Sequence, residues 1–511
     1  MYLIGAGPGD PGLITVKGLE ALKEASVVVY DYLAGRGLLE HARPDAELIY
    51  VGKKGAGPDG PVHAMEQDEI NALLAEKAAA GHVVARLKGG DPYVFGRGGE
   101  EALHLAERGI EFEEVPGVTA AIAAAAYAGI PVTHRGIAAS FTMLTGHEDP
   151  SKAGSDGGNA ELDWSKIATG AGTLAVYMGV KNLPQLIESI IAGGRHSTTP
   201  VAVVSWGTCP RQRSVAGTLA DIAQKVRDAG IEAPAVTIIG EVVSLREKLD
   251  WFEKLPLFGK RIVITRSREQ AGTLAKKLIR LGAEVIEFPT IRIVPLADDA
   301  TSRIDAAISG LPRYEWVVFT SVNGVERFFD RMLKMGKDAR ALGACRICAI
   351  GPATAQALRG RSIIVDLVPR RFETDGILAA FREAGIAAGA RVLLARAAMA
   401  GDALPRGLTA LGAHVDDVAV YETVLETGQP PDVLERVANA DFDIITFTSS
   451  STVRNFAQII GLERARAVCA KAACASIGPV TSQAARELGI PIKIEAEQST
   501  IDGMVAAILE L

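Results

Sequence analysis

Short runs rich in β-branched residues alternate with longer helix-period segments along most of the chain. LIGAG (from Leu3), SVVVYD (Ser26), ELIYVG (Glu47) and HVVARLKGG (His82) mark the first part. RIVITRS (Arg261), EWVVFTS (Glu315), CRICAIG (Cys345), RVLLAR (Arg391), DIITFTS (Asp443) and ACASIG (Ala473) mark the second. This rhythm confines the fold to α/β lobes with largely parallel sheets. A representative helix is predicted over residues 67–80, where Ile70, Leu73, Leu74 and Lys77 recur at helical spacing before Gly81. At 511 residues the chain exceeds one hydrophobic core, and domains of about 100–200 residues imply three or four lobes. Residues 148–162 are polar and glycine-rich and read as a mobile surface loop, and the turn from Ser244 through Pro256 and Gly259 into a new strand places the main boundary near residue 257.

The second half contains an internal repeat. Phe319-Thr320-Ser321, followed by Asn323, Val325 and Phe328, reappears as Phe447-Thr448-Ser449 followed by Ser451, Val453 and Phe456. Ala349-Ile-Gly-Pro-Ala-Thr354 recurs as Ser476-Ile-Gly-Pro-Val-Thr481. Two similar lobes with a ligand cleft between them follow from such a pattern.

Charge and composition narrow the partners. A net charge of −7 argues against nucleic acid, whose phosphates call for a basic surplus. The start MYLIGAGPGD lacks the features of a signal peptide, and the alanine-rich run Val118–Val132 is too short to span a bilayer, so a cytoplasmic protein without membrane contact is expected. Five cysteines, an odd number, suit a reducing compartment. Cys345 and Cys348 form a CxxC, but within an apolar strand-like stretch and without a second ligand pair. No histidine stands at metal-site spacing, so no metal is expected.

Two loops carry the chemical signal. Gly5-Ala-Gly7-Pro-Gly9-Asp10 follows a strand, and Asp31 ends the next, as in a dinucleotide fingerprint. Asp10 replaces the third glycine, however, and Pro8 and Pro11 prevent an immediate helix, leaving a structural turn or a specialised active-site loop. The segment Arg86–Glu101 (RLKGGDPYVFGRGGEE) sets glycines and a proline among charges directly after a strand. Such a loop costs stability and implies close approach of backbone to a ligand.

Together with VVVYD (Val27–Asp31), VGKK (Val51–Lys54), VPGVTAA (Val115–Ala121), GIPVTHR (Gly129–Arg135), LTGH (Leu144–His147), VYMG (Val176–Gly179) and GTLADI (Gly217–Ile222), that segment resembles uroporphyrinogen-III C-methyltransferase over residues 1–254. The resemblance implies the tetrapyrrole methylase fold, two α/β subdomains of about 1–135 and 136–254 with S-adenosylmethionine between them, and a homodimer formed through this half. It assigns Pro8, Gly89, Gly90, Asp91, Val94, Thr119, Ala120, Met178 and Gly207 to the cofactor. Asp31 becomes the proton acceptor, Lys53 the proton donor and Arg97 a contact for substrate carboxylates. His134 and His147 fall in matched motifs, although lone histidines are more often structural. Four departures stand out: Ser205-Trp206-Gly207-Thr208 replaces the usual Asn-Gly-Thr, VGKK replaces VGKR, Gly55–Pro61 looks inserted, and Glu66 stands where a proline usually precedes QDEIN.

Residues 260–511, after a linker at 255–259, resemble uroporphyrinogen-III synthase by the repeat, by GAEVIEFP (Gly282–Pro289) and by Val420-Tyr421-Glu422-Thr423. The resemblance implies two α/β lobes, one from 260–292 plus 424–511 and one from 297–420, joined by two strands. It implies closure of hydroxymethylbilane to uroporphyrinogen III with Tyr421 assisting departure of the hydroxyl. Helix N-termini following Thr320-Ser321 and Thr448-Ser449 offer amides and hydroxyls to carboxylates. Thr354 and Thr481 are candidate anion contacts, or else helix caps. The two halves together would make precorrin-2 from hydroxymethylbilane; in the alternative, the C-terminal half only binds tetrapyrroles.

Overall fold

The computed structural model describes residues 1–52, 56–57, 60–61, 65–146, 162–266, 268–297 and 300–511. Four five-stranded sheets organise them, each with helices against it. The first runs Glu47–Tyr50, Val27–Tyr30, Val84–Lys88, Tyr2–Gly5, Glu113–Val115, all parallel. Its central strands are buried along their whole length, as a sheet covered on both faces requires. Alternation sends Val28, Tyr30, Ala85 and Leu87 to one core and Val27, Val29 and Val84 to the other, beneath the helix Gln67–Ala79.

The second sheet departs from the expected parallel pattern. Its order is Arg213–Thr218, Pro200–Ser205, Ala235–Ile239, Thr173–Tyr177, Phe141–Thr145, and only the last pair is parallel. The connection between Ser205 and Arg213 is too short for the crossover that a parallel pair needs. The alanine-rich helix Ala120–Tyr127 packs here, with Ala121, Ala124 and Ala125 against Ala175, Ala202, Val204, Val236 and Ile238.

In the C-terminal half, Glu284–Glu287, Arg261–Ile264, Ile444–Phe447, Ala473–Ser476 and Ile494–Glu495 form an all-parallel sheet. Ile291–Val294, His414–Leu425, Arg391–Ala397, Trp316–Phe319 and Arg346–Ala349 form the other, parallel except for its first pair. The repeat has a physical counterpart. Phe319 meets Phe328 edge-on at 5.4 Å between ring centroids, and Phe447 meets Phe456 at 5.6 Å, all four rings being fully buried. Each aromatic pair pins a helix to the strand that precedes it. Cys348 lies buried in the strand Arg346–Ala349, as the apolar reading of the CxxC required.

Residues 255–259, expected as a linker, are packed instead. Leu257 joins the core of Ile262, Leu274 and Leu278, and its amide donates to the Leu281 carbonyl at 2.9 Å. Phe252 stacks edge-on with Tyr127 at 4.8 Å and Phe258 at 5.3 Å, so an aromatic ladder ties the helix Ala120–Tyr127 to the C-terminal half. Phe252→Ala is expected to cost about 3–5 kcal/mol, since a buried ring leaves a cavity. Urea unfolding of the full chain measures this, and a loss under about 1 kcal/mol would mean that the ladder does not hold the junction. Among the described residues no helix is long and apolar enough to cross a membrane.

Candidate active site

The carboxyl ends of the first sheet's strands open into three loops that meet backbone to backbone. The Ala6 amide donates to the Lys88 carbonyl at 2.8 Å, and Gly7 and Gly90 exchange bonds of 3.2 and 2.7 Å. A Cβ on Gly117 would stand 2.2 Å from the Gly90 oxygen and 2.6 Å from the Gly5 Cα, so glycine is required by contact and not only by conformation. Asp91 braces the crossing, accepting from the Gly117 amide at 3.0 Å and the Tyr93 amide at 2.9 Å. Asp10 caps the short turn at Pro11–Leu13 through the Gly12 amide at 2.7 Å and takes the Tyr127 hydroxyl at 2.6 Å. Its own amide donates to Thr208 Oγ1 at 2.9 Å, linking this loop to the second sheet.

Between the two sheets lies a cavity of about 460 Å³. Pro8, Gly89, Gly90, Val94, Thr119, Ala120, Met178 and Gly207 line it, together with Asp31 and Arg97. Asp91, also expected at the cofactor, sits at the loop crossing, its carboxylate bonded to the Gly117 and Tyr93 amides. Lys53, His147 and residues 55, 58 and 59 of the Gly55–Pro61 insertion lie outside the described residues, as does nearly all of the loop read at 148–162. His134 is exposed, its Nδ1 2.8 Å from the Arg135 carbonyl. Five of the seven described non-glycine residues with positive φ cluster at the cavity: Phe95, Arg97, Met178, Trp206 and Thr208. Such backbone persists only where surrounding structure enforces it, and it concentrates at functional sites.

Asp31 accepts from the Leu33 amide at 3.0 Å on Oδ1 and from Arg86 Nη2 at 3.1 Å on Oδ2. Arg97 is half-exposed at the rim and pairs with Glu100 at 2.9 and 2.6 Å. Several cavity residues escaped the sequence reading. The Tyr177 hydroxyl lies 2.5 Å from Thr119 Oγ1 and accepts from the Ala121 amide at 2.8 Å, pinning the start of the alanine-rich helix; burial pushes its pKa up. Trp206 forms part of the wall with the Arg211 guanidinium stacked 3.4 Å from its ring centroid. Lys88 also reaches the wall, and burial, reinforced by the neighbouring Arg86 cation, holds its ammonium below the usual lysine range. The available signal was two cations inside an otherwise apolar strand.

In the C-terminal half the structure brings Ser321 and Tyr421 together, their hydroxyls 3.1 Å apart. Tyr421 is buried in the core of its lobe. The serine hydroxyls expected to be free are engaged as helix caps: Ser321 Oγ accepts from the Gly324 amide at 2.9 Å, and Ser449 Oγ from Thr452 at 3.3 Å. Each cap satisfies one end-of-helix amide and leaves those of the first turn. Thr320 and Thr448 sit half-buried just before these caps. Thr354 and Thr481 each occupy the third helical position and are buried. Among the described residues no cluster of three or more metal-ligating side chains is found.

The profile of the family described as Tetrapyrrole (Corrin/Porphyrin) Methylases matches residues 1–223, and that of Uroporphyrinogen-III synthase HemD matches residues 272–506. A protein of Ruminiclostridium josui named Porphyrin biosynthesis protein HemD is 39% identical over 512 residues, covering 100% of this chain and 97% of its own length. A Uroporphyrinogen-III C-methyltransferase of Bacillus subtilis is 45% identical over 370 residues, 72% of this chain and 73% of its own. The crystal structure of uroporphyrin-III C-methyl transferase from Thermus thermophilus complexed with S-adenyl homocysteine is 40% identical, spans 48% of this chain and 98% of that one, and superposes with a TM-score of 0.39.

Proposed function

The chain belongs to the family that fuses a tetrapyrrole methylase to a uroporphyrinogen-III synthase, and on that premise we propose that its C-terminal half closes hydroxymethylbilane to uroporphyrinogen III and its N-terminal half methylates this product twice, to precorrin-2. The observation that carries the reading is the cavity between the first two sheets, with strained backbone around it and Asp31 on its wall. Its volume of about 460 Å³ lies in the range of small-molecule sites. Gly89, Gly90, Ala120 and Gly207 offer backbone at close range, and Val94 and Met178 offer apolar surface, a donor set suited to a nucleoside sulfonium. These residues and Pro8 would hold S-adenosylmethionine, which supplies an electrophilic methyl group when bound.

The residues' own work is positioning and proton removal. A pyrrole carbon of a porphyrinogen is electron-rich, so its attack on the sulfonium methyl, breaking the carbon–sulfur bond and releasing S-adenosylhomocysteine, would need chiefly that the cavity residues hold the two reactants in line. Forming the new carbon–carbon bond leaves the macrocycle with one proton too many, and Asp31 takes it. Arg97, at the rim, meets the substrate's carboxylates in exchange for Glu100. In the synthase half, Tyr421 and Ser321 face the departing hydroxyl, and the first-turn amides of the helices Val322–Lys334 and Ser450–Ile460 bind carboxylates. This is how a net-acidic chain holds a polycarboxylate.

Supplying only hydroxymethylbilane and S-adenosylmethionine to the full chain, with mass spectrometry of the products, tests both halves. Doubly methylated precorrin-2 is expected. Precorrin-2 formed only when uroporphyrinogen III is added would remove the synthase assignment, and no methylated product from either substrate would remove the other.

A further inference from the structure

The strand Val84–Lys88 is buried throughout, yet it carries two cations. Arg86 is 3% exposed and Lys88 4%. Both lie on the face of the sheet that meets the helices Gln67–Ala79 and Gly98–Ala106, where Glu101 is completely buried. Glu101 Oε1 accepts from Lys88 Nζ at 2.7 Å, from Arg86 Nε at 3.3 Å and from Gln67 Nε2 at 3.3 Å. Its Oε2 is buried without a hydrogen-bond partner among the described residues. Arg86 in turn donates Nη1 to the Leu87 carbonyl at 2.8 Å and Nη2 to Asp31 Oδ2 at 3.1 Å. Charges are thereby carried from the helix layer to the cavity wall, where Asp31 is the most accessible member, 22% exposed at its side chain.

An apolar set of similar volume would stabilise a fold at least as well as a buried ionic group, so stability alone does not account for this cluster. Its geometry serves something else. Two hydrogen bonds from opposite sides, the Leu33 amide and the Arg86 guanidinium, hold the Asp31 carboxylate in one orientation, and Arg86 is itself immobilised by Glu101 and Leu87.

We propose that Arg86 and Glu101 are positioning residues for methyl transfer: Glu101 fixes the Arg86 guanidinium, and Arg86 sets the orientation and counter-charge of Asp31. Lys88 balances the second charge, so that Glu101 faces two cations and Arg86 two carboxylates. The inference rests on the reading of Asp31 as proton acceptor. The charged and titratable groups facing Asp31 are Arg86 and Lys88 from the strand, Glu101 from the helix behind it and Tyr32 beside it. Removing the guanidinium takes away the nearest opposite charge to Asp31.

The test is the pH profile of kcat for the full chain, with uroporphyrinogen III and S-adenosylmethionine, in Arg86→Gln, Arg86→Lys and Glu101→Gln. Arg86→Gln is expected to move the acid limb up by about one pH unit and to lower the plateau about tenfold, with KM for S-adenosylmethionine within about twofold. Arg86→Lys restores the limb toward the wild-type position, which a purely structural arginine would not do. Glu101→Gln, which frees the Arg86 guanidinium, is expected to lower the plateau about tenfold with KM for S-adenosylmethionine within about twofold, and this variant carries the test if Arg86→Gln does not fold. An acid limb unmoved in Arg86→Gln, or an unchanged plateau in Glu101→Gln when that variant stands in for it, overturns the proposal. Asp31→Asn separates the two ideas. Slow turnover there with an unmoved limb in the Arg86 variants sinks only the positioning role, whereas full turnover there removes it together with the Asp31 reading.

Discussion

Asp31→Asn slows methyl transfer by about a thousandfold, within the range expected for loss of a positioned general base, while S-adenosylhomocysteine still binds within about twofold of wild type. The asparagine oxygen can keep the bond from the Leu33 amide, so the loop retains its path. What disappears is the proposed proton acceptor. Single-turnover transfer of labelled methyl, beside calorimetric titration with S-adenosylhomocysteine, separates chemistry from binding. Turnover within about threefold of wild type would strip Asp31 of its role.

Gly117→Ala is expected to abolish cofactor binding, weakening S-adenosylhomocysteine by at least about a hundredfold. The added methyl would stand 2.2 Å from the Gly90 oxygen and 2.6 Å from the Gly5 Cα, both backbone atoms that no rotamer change can move. Overpacking costs about 1–3 kcal/mol even where side chains yield. Here the three cavity loops must separate. The paired bonds between Gly7 and Gly90 and the Asp91 brace on the Gly117 amide are lost with them. Calorimetric titration measures the effect, and affinity within about fivefold of wild type would show that the crossing is not needed to shape the site.

Much of the architecture was legible because it rests on periodicity. Alternation of strand and helix signals marked the α/β class, and the recurrence of Phe319 with Phe328 as Phe447 with Phe456 marked two lobes built on one plan. Motif-bearing positions such as Gly89, Gly90, Val94 and Gly207 converged on one cavity. Strand direction was less legible. The second sheet is mainly antiparallel because pairing depends on which strands the short connections allow to meet, and hydrophobic pattern is silent on that. The bracing by Asp91 was illegible for a related reason. Only the crossing of loops shows that this acid holds the Gly117 amide. The stretch at 255–259 looked like a linker by its proline and glycine, yet Leu257 has core partners far along the chain and Phe258 packs on Phe252.

Residue order alone determined that this chain would form paired α/β lobes with a loop built for close contact at strand ends, since local propensity and apolar period are properties of neighbours in sequence. Tertiary structure decided which groups share a site: Tyr177 on Thr119, Arg211 over Trp206, and Asp31 held through Arg86 by Glu101. Those contacts depend on side chains from separate elements arriving within hydrogen-bonding reach, and that proximity exists only once the sheets and helices have packed.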